Sequence, residues 1–132
     1  MSKDKVKKVF DSMDCCDIRL NNKIIINSVE GVKIKGKSYL ARIDTGATKN
    51  SICKSVVSEL KLGPVVDNVE VKSSHGISVR GVIIVELELA GVKAKTMFNI
   101  SDRVHMKYPI LIGRNLLKKG FLVDCSNEDR DN

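Results

Sequence analysis

The stretch Leu40-Ala41-Arg42-Ile43-Asp44-Thr45-Gly46-Ala47 reads as a strand that delivers a carboxylate into a tight turn. Only small residues follow the Asp, so the turn can hold its carboxylate close to the backbone. Asp and Gly are also standard turn formers, and the motif by itself is more often structural than catalytic. Its meaning depends on what the rest of the chain places around it.

A second informative stretch is Tyr108-Pro109-Ile110-Leu111-Ile112-Gly113-Arg114-Asn115-Leu116-Leu117, in which an apolar strand meets Gly and then a short helix. Taken alone, this stretch indicates core packing. The two stretches become specific through their order and separation, because a hairpin-sized region lies between them. In that region, runs 69–73 and 79–89 flank Ser74-His75-Gly76.

The remaining pattern predicts a single domain made mostly of strands. Aromatic residues are 4% of the chain and Trp is absent, which leaves the core to β-branched residues and Leu. We expect strands over 23–29, 32–43 with a turn at 35–37, 50–53, 109–112 and 121–124, another strand from the turn at 90–91 through 100, and helices over 54–61 and 114–119. The predicted division is an N-terminal basic arm or short helix at 1–20, one domain at 21–126 and a flexible tail at 127–132.

Charge and composition exclude several classes of protein. The formal net charge is +7, but the lysines are dispersed and stacking aromatics are few, so we do not expect nucleic acid as a partner. A basic surface can attract acidic partners or acidic peptides, or can simply be solvated. No apolar secretory segment follows Met1 and no run could span a bilayer, so we expect a cytoplasmic protein without membrane contact.

A metal site is not expected. The cysteines are Cys15, Cys16, Cys53 and Cys125, and the histidines are His75 and His105. They form no Cys-x-x-Cys pair and no His-Glu-x-x-His motif. No Gly-rich phosphate loop is present either, so the sequence predicts no cofactor.

The two stretches together resemble the retroviral-type aspartic protease subunit, or retropepsin. The resemblance covers roughly residues 23–126. Three further segments, at 101–103, 106–109 and 121–124, look like the RimB-type retropepsins of bacteria and phages, which are often labelled ATP-dependent zinc proteases. The resemblance implies an all-β fold, a retropepsin-like closed β-barrel that is one half of an aspartic protease, with one short C-terminal helix.

The resemblance also implies roles for named residues. The catalytic residues would be Asp44, Thr45 and Gly46, and the substrate-binding residues would be Ala47, Ser74, His75, Gly76 and Ile77. Because Asp-Thr-Gly occurs once and an aspartic protease needs two carboxylates, the second would come from a homodimer partner. The expected function is endopeptidase cleavage of a peptide or protein substrate. The alternative is a non-catalytic peptide-binding or dimerisation module of the same fold.

One departure from the viral pattern concerns the late helix. Viral enzymes usually place an acidic residue directly after Asp-Thr-Gly-Ala, where it pairs with the Arg of that helix. This chain has Thr48 and Lys49 there. Arg114 therefore needs another partner, and Asp102 and Asp124 are the two candidates.

Overall fold

The computed structural model describes residues 22–74, 76–102 and 107–126. The predicted arm at 1–20 and tail at 127–132 lie outside these ranges, as do His75 and His105. Across the described ranges, no helix is long and apolar enough to cross a membrane.

The described chain forms nine strands and two short helices. In chain order they are β1 (Ile24–Asn27), β2 (Val29–Ile34), β3 (Lys37–Ile43), β4 (Asn50–Cys53), α1 (Lys54–Leu60), β5 (Val65–Ser73), β6 (Gly76–Leu89), β7 (Val92–Ser101), β8 (Ile110–Ile112), α2 (Arg114–Leu117) and β9 (Phe121–Asp124).

Six strands close into a barrel, which confirms the predicted all-β class. Their order is β2-β3-β8-β4-β7-β6, and β6 returns to β2 where Val32 pairs with Leu89. Closure removes the exposed edges that an open sheet would present. Strand β5 pairs only with β6 and extends from the barrel as a long hairpin. Strands β1 and β9 form a separate parallel pair.

Two tight turns set the register of the barrel hairpins. Lys35 and Gly36 have φ of 50° and 79°, and Ala90 and Gly91 have φ of 51° and 79°. Positive φ at both central residues is the type I′ geometry, whose twist matches that of the flanking strands. Each turn joins a residue pair in register, Ile34 with Lys37 in the first case. Both predicted turns are confirmed.

The core fills the barrel with aliphatic side chains. Alternation is clearest in β6, where Val85, Leu87 and Leu89 are buried while Glu86 is exposed. Burial of each such side chain stabilises the fold by about 1.5–3 kcal/mol. The other fully buried apolar side chains come mostly from the remaining barrel strands and α2: Val32, Ile34, Ala41, Ile52, Ile83, Phe98, Ile110, Ile112 and Leu116.

Several element boundaries differ from the sequence prediction, and three of them have a clear physical origin or extent. The predicted strand at 23–29 is interrupted at Ser28, whose carbonyl accepts a hydrogen bond from Ile43 N at 2.8 Å as the chain passes from β1 into the barrel. Strand β5 begins at Val65 rather than at 69, because its pairing with β6 continues through an irregularity between Val65 and Asp67. Helix α2 ends at Leu117, two residues before the predicted end.

Candidate active site

Asp44 directly follows β3, where the neighbouring strand β8 holds its backbone. Asp44 N donates to Ile112 O at 2.8 Å. The carboxylate turns back on its own loop, and its Oδ1 accepts a hydrogen bond from Gly46 N at 2.9 Å. This is an Asx-type turn, which fixes the direction of the side chain. The carboxylate is thus positioned by local backbone before any partner or substrate is present.

Helix α2 begins directly behind this loop, residues 44–49, hereafter the Asp44 loop. Arg114 N donates to Ala47 O at 2.8 Å, and Asn115 N donates to Thr48 O at 3.0 Å. The approach requires Gly113, since a Cβ there would lie 2.5 Å from Lys49 O and 2.8 Å from Ala47 O. The Gly of the second sequence stretch is therefore explained by close contact between two backbones.

Asn50 is a fully buried residue whose side chain links the start of helix α2 to barrel strand β7. Its Oδ1 accepts a hydrogen bond from Gly113 N at 2.8 Å, and its Nδ2 donates to Met97 O at 3.1 Å. One carboxamide thereby satisfies two backbone groups. Sequence reasoning treated Asn50 only as the start of a strand. Its one available signal was a polar residue at the edge of an apolar strand.

Arg114 bonds to the Asp44 loop rather than to a carboxylate. Its Nη1 donates to Thr45 O at 2.9 Å, and its Nη2 donates to Thr48 Oγ1 at 2.8 Å. Within the described residues Arg114 forms no ion pair, so neither of the two candidate carboxylates, Asp102 and Asp124, is its partner. The physical reason is proximity, since the helix places the guanidinium over the loop, where oxygen acceptors are already available.

Asp124 has a local partner of its own. Its Oδ1 accepts a hydrogen bond from Ser126 N at 2.9 Å. Hydrogen bonds from the backbone and side chain of Ser126 lower the pKa of the Asp124 carboxyl from its ordinary value. Asp124 is half-buried and is the last residue of β9.

Beside Asp44 lies a cleft of about 610 Å³, within the usual range of ligand-binding clefts. The Asp44 loop forms one wall and the β5–β6 hairpin forms another. Its lining residues are Asp44, Ala47, Thr48, Lys49, Ser51, Glu70, Val71, Lys72, Arg80, Asn99, Ser101 and Leu111.

The predicted site residues fall into two groups. Asp44 and Ala47 line the cleft, and Thr45 and Gly46 are exposed on the same loop. Ser74, Gly76 and Ile77 are exposed at the end of the β5–β6 hairpin and do not line this cleft in the single chain, and His75 lies outside the described residues. The roles assigned to all eight residues stay predictions.

Sequence reasoning did not assign Ser51, Asn99 or Arg80 to the cleft. Ser51 and Asn99 lie within segments that read as strands, and Arg80 lies in the hairpin. Their contribution depends on which strands are neighbours, and no local motif signals that.

Solved structures with the same architecture support a retropepsin-like fold. The protease of simian foamy virus superposes with a TM-score of 0.55 at 20% identity, covering 68% of this chain and 91% of the viral one. A protein of unknown function from Legionella pneumophila superposes with a TM-score of 0.55 at 19% identity, covering 77% of this chain and 93% of that protein. The fold is thus that of a retroviral protease subunit.

The sequence profile of the RimB-like family, described as retropepsin-like aspartic endopeptidase RimB, matches residues 53–130, more than half of the chain. The chain belongs to the RimB-like family. The matched range begins after the Asp44 loop. The interest of that loop therefore rests on its position in the fold and on its hydrogen bonds, not on the family match. No curated protein sequence matches the chain significantly.

Proposed function

We propose that this protein is an aspartic endopeptidase that works as a homodimer, with one Asp44 contributed by each subunit. The observation that carries the proposal is the position of Asp44, which is held by Gly46 N at 2.9 Å on the wall of an open cleft. Family membership supports the same class of hydrolase.

The homodimer follows from the number of carboxylates that the reaction needs. The chain holds a single Asp-Thr-Gly, and the exposed Thr45 and Gly46 leave this loop accessible to a second copy. In the proposed dimer the two loops meet across a two-fold axis, so that each subunit presents the same surface to the other. Thr45 braces one loop against the other, as the resemblance implies.

In the proposed mechanism the two carboxylates share one proton, because like charges held so close do not both ionise. The ionised carboxylate takes a proton from a water molecule, whose oxygen attacks the carbonyl carbon of the scissile peptide bond. The protonated carboxyl donates to the carbonyl oxygen and stabilises the tetrahedral intermediate. The carbon–nitrogen bond then breaks, and the departing nitrogen receives a proton from the pair.

The end of the β5–β6 hairpin, residues 73–79, is proposed as the flap that closes over the substrate. Ile77 and Val79 are 65% and 67% exposed there, although they are apolar. A peptide bound beneath them would cover this surface and exclude water from the reacting atoms. Gly76, with φ of 109°, allows the backbone geometry at the start of β6 that other residues rarely adopt.

The test compares wild type with Asp44→Asn on a mixture of random peptides, with products read by mass spectrometry. We expect cleavage by wild type and none by Asp44→Asn, since the amide keeps the size of the side chain but cannot act as the base. Sedimentation and circular dichroism should show the same dimer and fold for both. Peptide binding without cleavage by wild type would instead support the non-catalytic module.

Metal dependence is examined in the same assay. We expect exhaustive chelation to leave cleavage intact, because the proposed chemistry uses two carboxylates and water. Loss of activity on chelation, restored by added zinc, would contradict this mechanism.

Cytoplasmic localisation is a further proposal, which fractionation of the cells that produce the protein would test.

A further inference from the structure

The outer face of strands β6 and β7 carries an exposed apolar pair beside a charged pair. Glu86 and Lys95 lie opposite each other on this face, with Oε1 and Nζ 3.8 Å apart. The next pair on the same face is Ile84 with Met97, whose side chains are 44% and 52% exposed. A sheet with one face in water normally presents polar residues on that face. The exposed apolar pair therefore indicates a surface that another segment covers.

This apolar surface continues into a groove of about 440 Å³ beside Ile84. The loop after α1 and the start of β5 form the other wall of the groove, through Leu62, Pro64 and Val66. Val66 is 50% exposed and lies at the irregularity of β5, where the register with β6 shifts. The apolar residues of the groove and of the adjoining pair are hereafter the outer patch: Leu62, Pro64, Val66, Ile84 and Met97.

The sequence before the described residues contains a segment whose pattern matches such a patch. Val6, Val9, Phe10 and Met13 have the i, i+3, i+4, i+7 spacing of an amphipathic helix. They are the apolar face of the short helix that the sequence predicts within the arm at 1–20. A short helix of this kind gains most of its stability by packing that face against another apolar surface.

The described chain starts at Asn22, which a short series of contacts connects to the groove. Asn22 O lies 4.0 Å from the position that a Cβ on Gly120 would take. The preceding residue, Lys119, donates from Nζ to Lys95 O at 3.3 Å, and Lys95 lines the groove. The connection is thus two residues and one lysine side chain long. Residues 14–21 extend up to about 26 Å, at about 3.3 Å per residue, and are long enough to bridge it.

We propose that residues 6–13 pack on the outer patch of their own chain, with Phe10 in contact with Met97. Because the segment is tethered to β1, docking is intramolecular and the effective concentration is on the order of millimolar. A few apolar contacts then keep the segment in place. The inference is independent of the proposed function, since the outer patch lies outside the Asp44 cleft.

The first test locates Phe10 by photochemical cross-linking. The photoreactive analogue p-benzoylphenylalanine replaces Phe10 in the full chain, and the linked peptides are identified by mass spectrometry after irradiation. We expect links to Met97 or Ile84. The matched control carries the analogue in place of Lys8, on the opposite side of the predicted helix, and should not link to the outer patch. Equal linking to the outer patch from both positions would overturn the inference.

The same experiment distinguishes docking within one chain from docking between two copies. Isotopically heavy and light proteins that both carry the analogue at position 10 are mixed in equal amounts before irradiation. Links within one chain join heavy to heavy and light to light, as the inference requires. Links that join heavy to light would place the segment on a second copy and overturn docking on its own chain.

The second test measures how often the segment leaves the patch, by trypsin cleavage after Lys7. A docked segment is cut only when it opens, so Met97→Asp and Phe10→Asp should each raise the cleavage rate at least about tenfold. The double variant should be cut no faster than either single variant, because both changes disrupt the same contact. Leu40→Asp is the matched control, because Leu40 is 55% exposed on β3 and lies outside the outer patch. It should keep the wild-type rate.

If Met97→Asp does not fold by circular dichroism, Ile84→Asp provides the second variant, with the same increase expected. A wild-type rate of cleavage after Lys7 in the folded patch variant would overturn the inference. An equal increase in Leu40→Asp would also overturn it, since the segment would then respond to any change of the surface.

Discussion

The side-chain oxygen of Asn50 lies 2.8 Å from the backbone nitrogen of Gly113, and this hydrogen bond joins two segments separated by 63 residues. Gly113 in turn contacts the backbone of the Asp44 loop too closely to carry a side chain. The buried carboxamide, the glycine and the loop thus form one continuous support. Because the proposed base belongs to that loop, the geometry of catalysis depends on residues that do not touch the substrate.

Asn50→Leu should destabilise the protein, because it removes both hydrogen bonds that the Asn50 carboxamide makes. Gly113 N would be left buried without a partner, at a cost of about 1–3 kcal/mol, and Met97 O would lose a partly buried hydrogen bond. Thermal and urea unfolding provide the measurement, with Asn68→Leu as the exposed control. If Asn50→Leu and wild type had the same urea concentration at the midpoint of unfolding, the carboxamide would not be a structural support.

Gly113→Ala should be more damaging than the addition of a single methyl group usually is. The added Cβ would lie 2.5 Å from Lys49 O, so the backbone of the loop or of the helix must shift. We expect a loss of stability of about 1–3 kcal/mol, together with a loss of peptide cleavage in any folded fraction. Gly36→Ala changes a glycine with no neighbour near its Cβ, and its penalty comes from positive φ alone.

Gly36→Ala is the control for Gly113→Ala. Gly36→Ala should lower stability without changing the kcat of the folded protein, since its turn is not part of the Asp44 loop. Equal kcat values for Gly113→Ala and wild type would show that the close backbone contact does not position Asp44.

Arg114 and Thr48 should be energetically coupled. Arg114→Lys retains the charge but cannot reach both oxygens with a planar fork, and Thr48→Val removes one of the two acceptors at nearly constant shape. We expect each change to lower kcat/KM, with a coupling free energy of about 0.5–1.5 kcal/mol in a double-mutant cycle. Thr48→Asp should preserve the contact, because its carboxylate also accepts from the guanidinium. Strictly additive effects would contradict a direct bond.

Mixed dimers test whether the active site is shared between two subunits. If wild type and Asp44→Asn exchange freely in equal amounts, about one dimer in four is fully wild type, and activity per wild-type subunit falls to roughly half. The assay compares this mixture with wild type diluted into an inert protein, which should leave activity per subunit unchanged. Full activity of a monomer, established by sedimentation at the assay concentration, would refute the shared site.

Local patterns were enough to predict much of the fold. The strand at 50–53, the turns at 35–37 and 90–91 and the closing strand at 121–124 all appear in the structure. These features depend on side-chain alternation and on φ preferences, which act between residues close in the chain. The start of β5 was missed because Asp67 and Asn68 have the composition of a turn, and only pairing with β6 makes them a strand.

The sequence by itself therefore determined the all-β class and the turn that carries Asp44, since Asp-Thr-Gly-Ala closes that turn with its own atoms. The tertiary structure decided the partners of Arg114, the role of Asn50 and the placement of Ser51 and Asn99 beside Asp44 in the cleft. Each of these depends on strand register or helix placement, which brings together residues that are distant in the chain. Register is set by packing of the whole barrel, because a shift of one residue would turn every side chain to the opposite face.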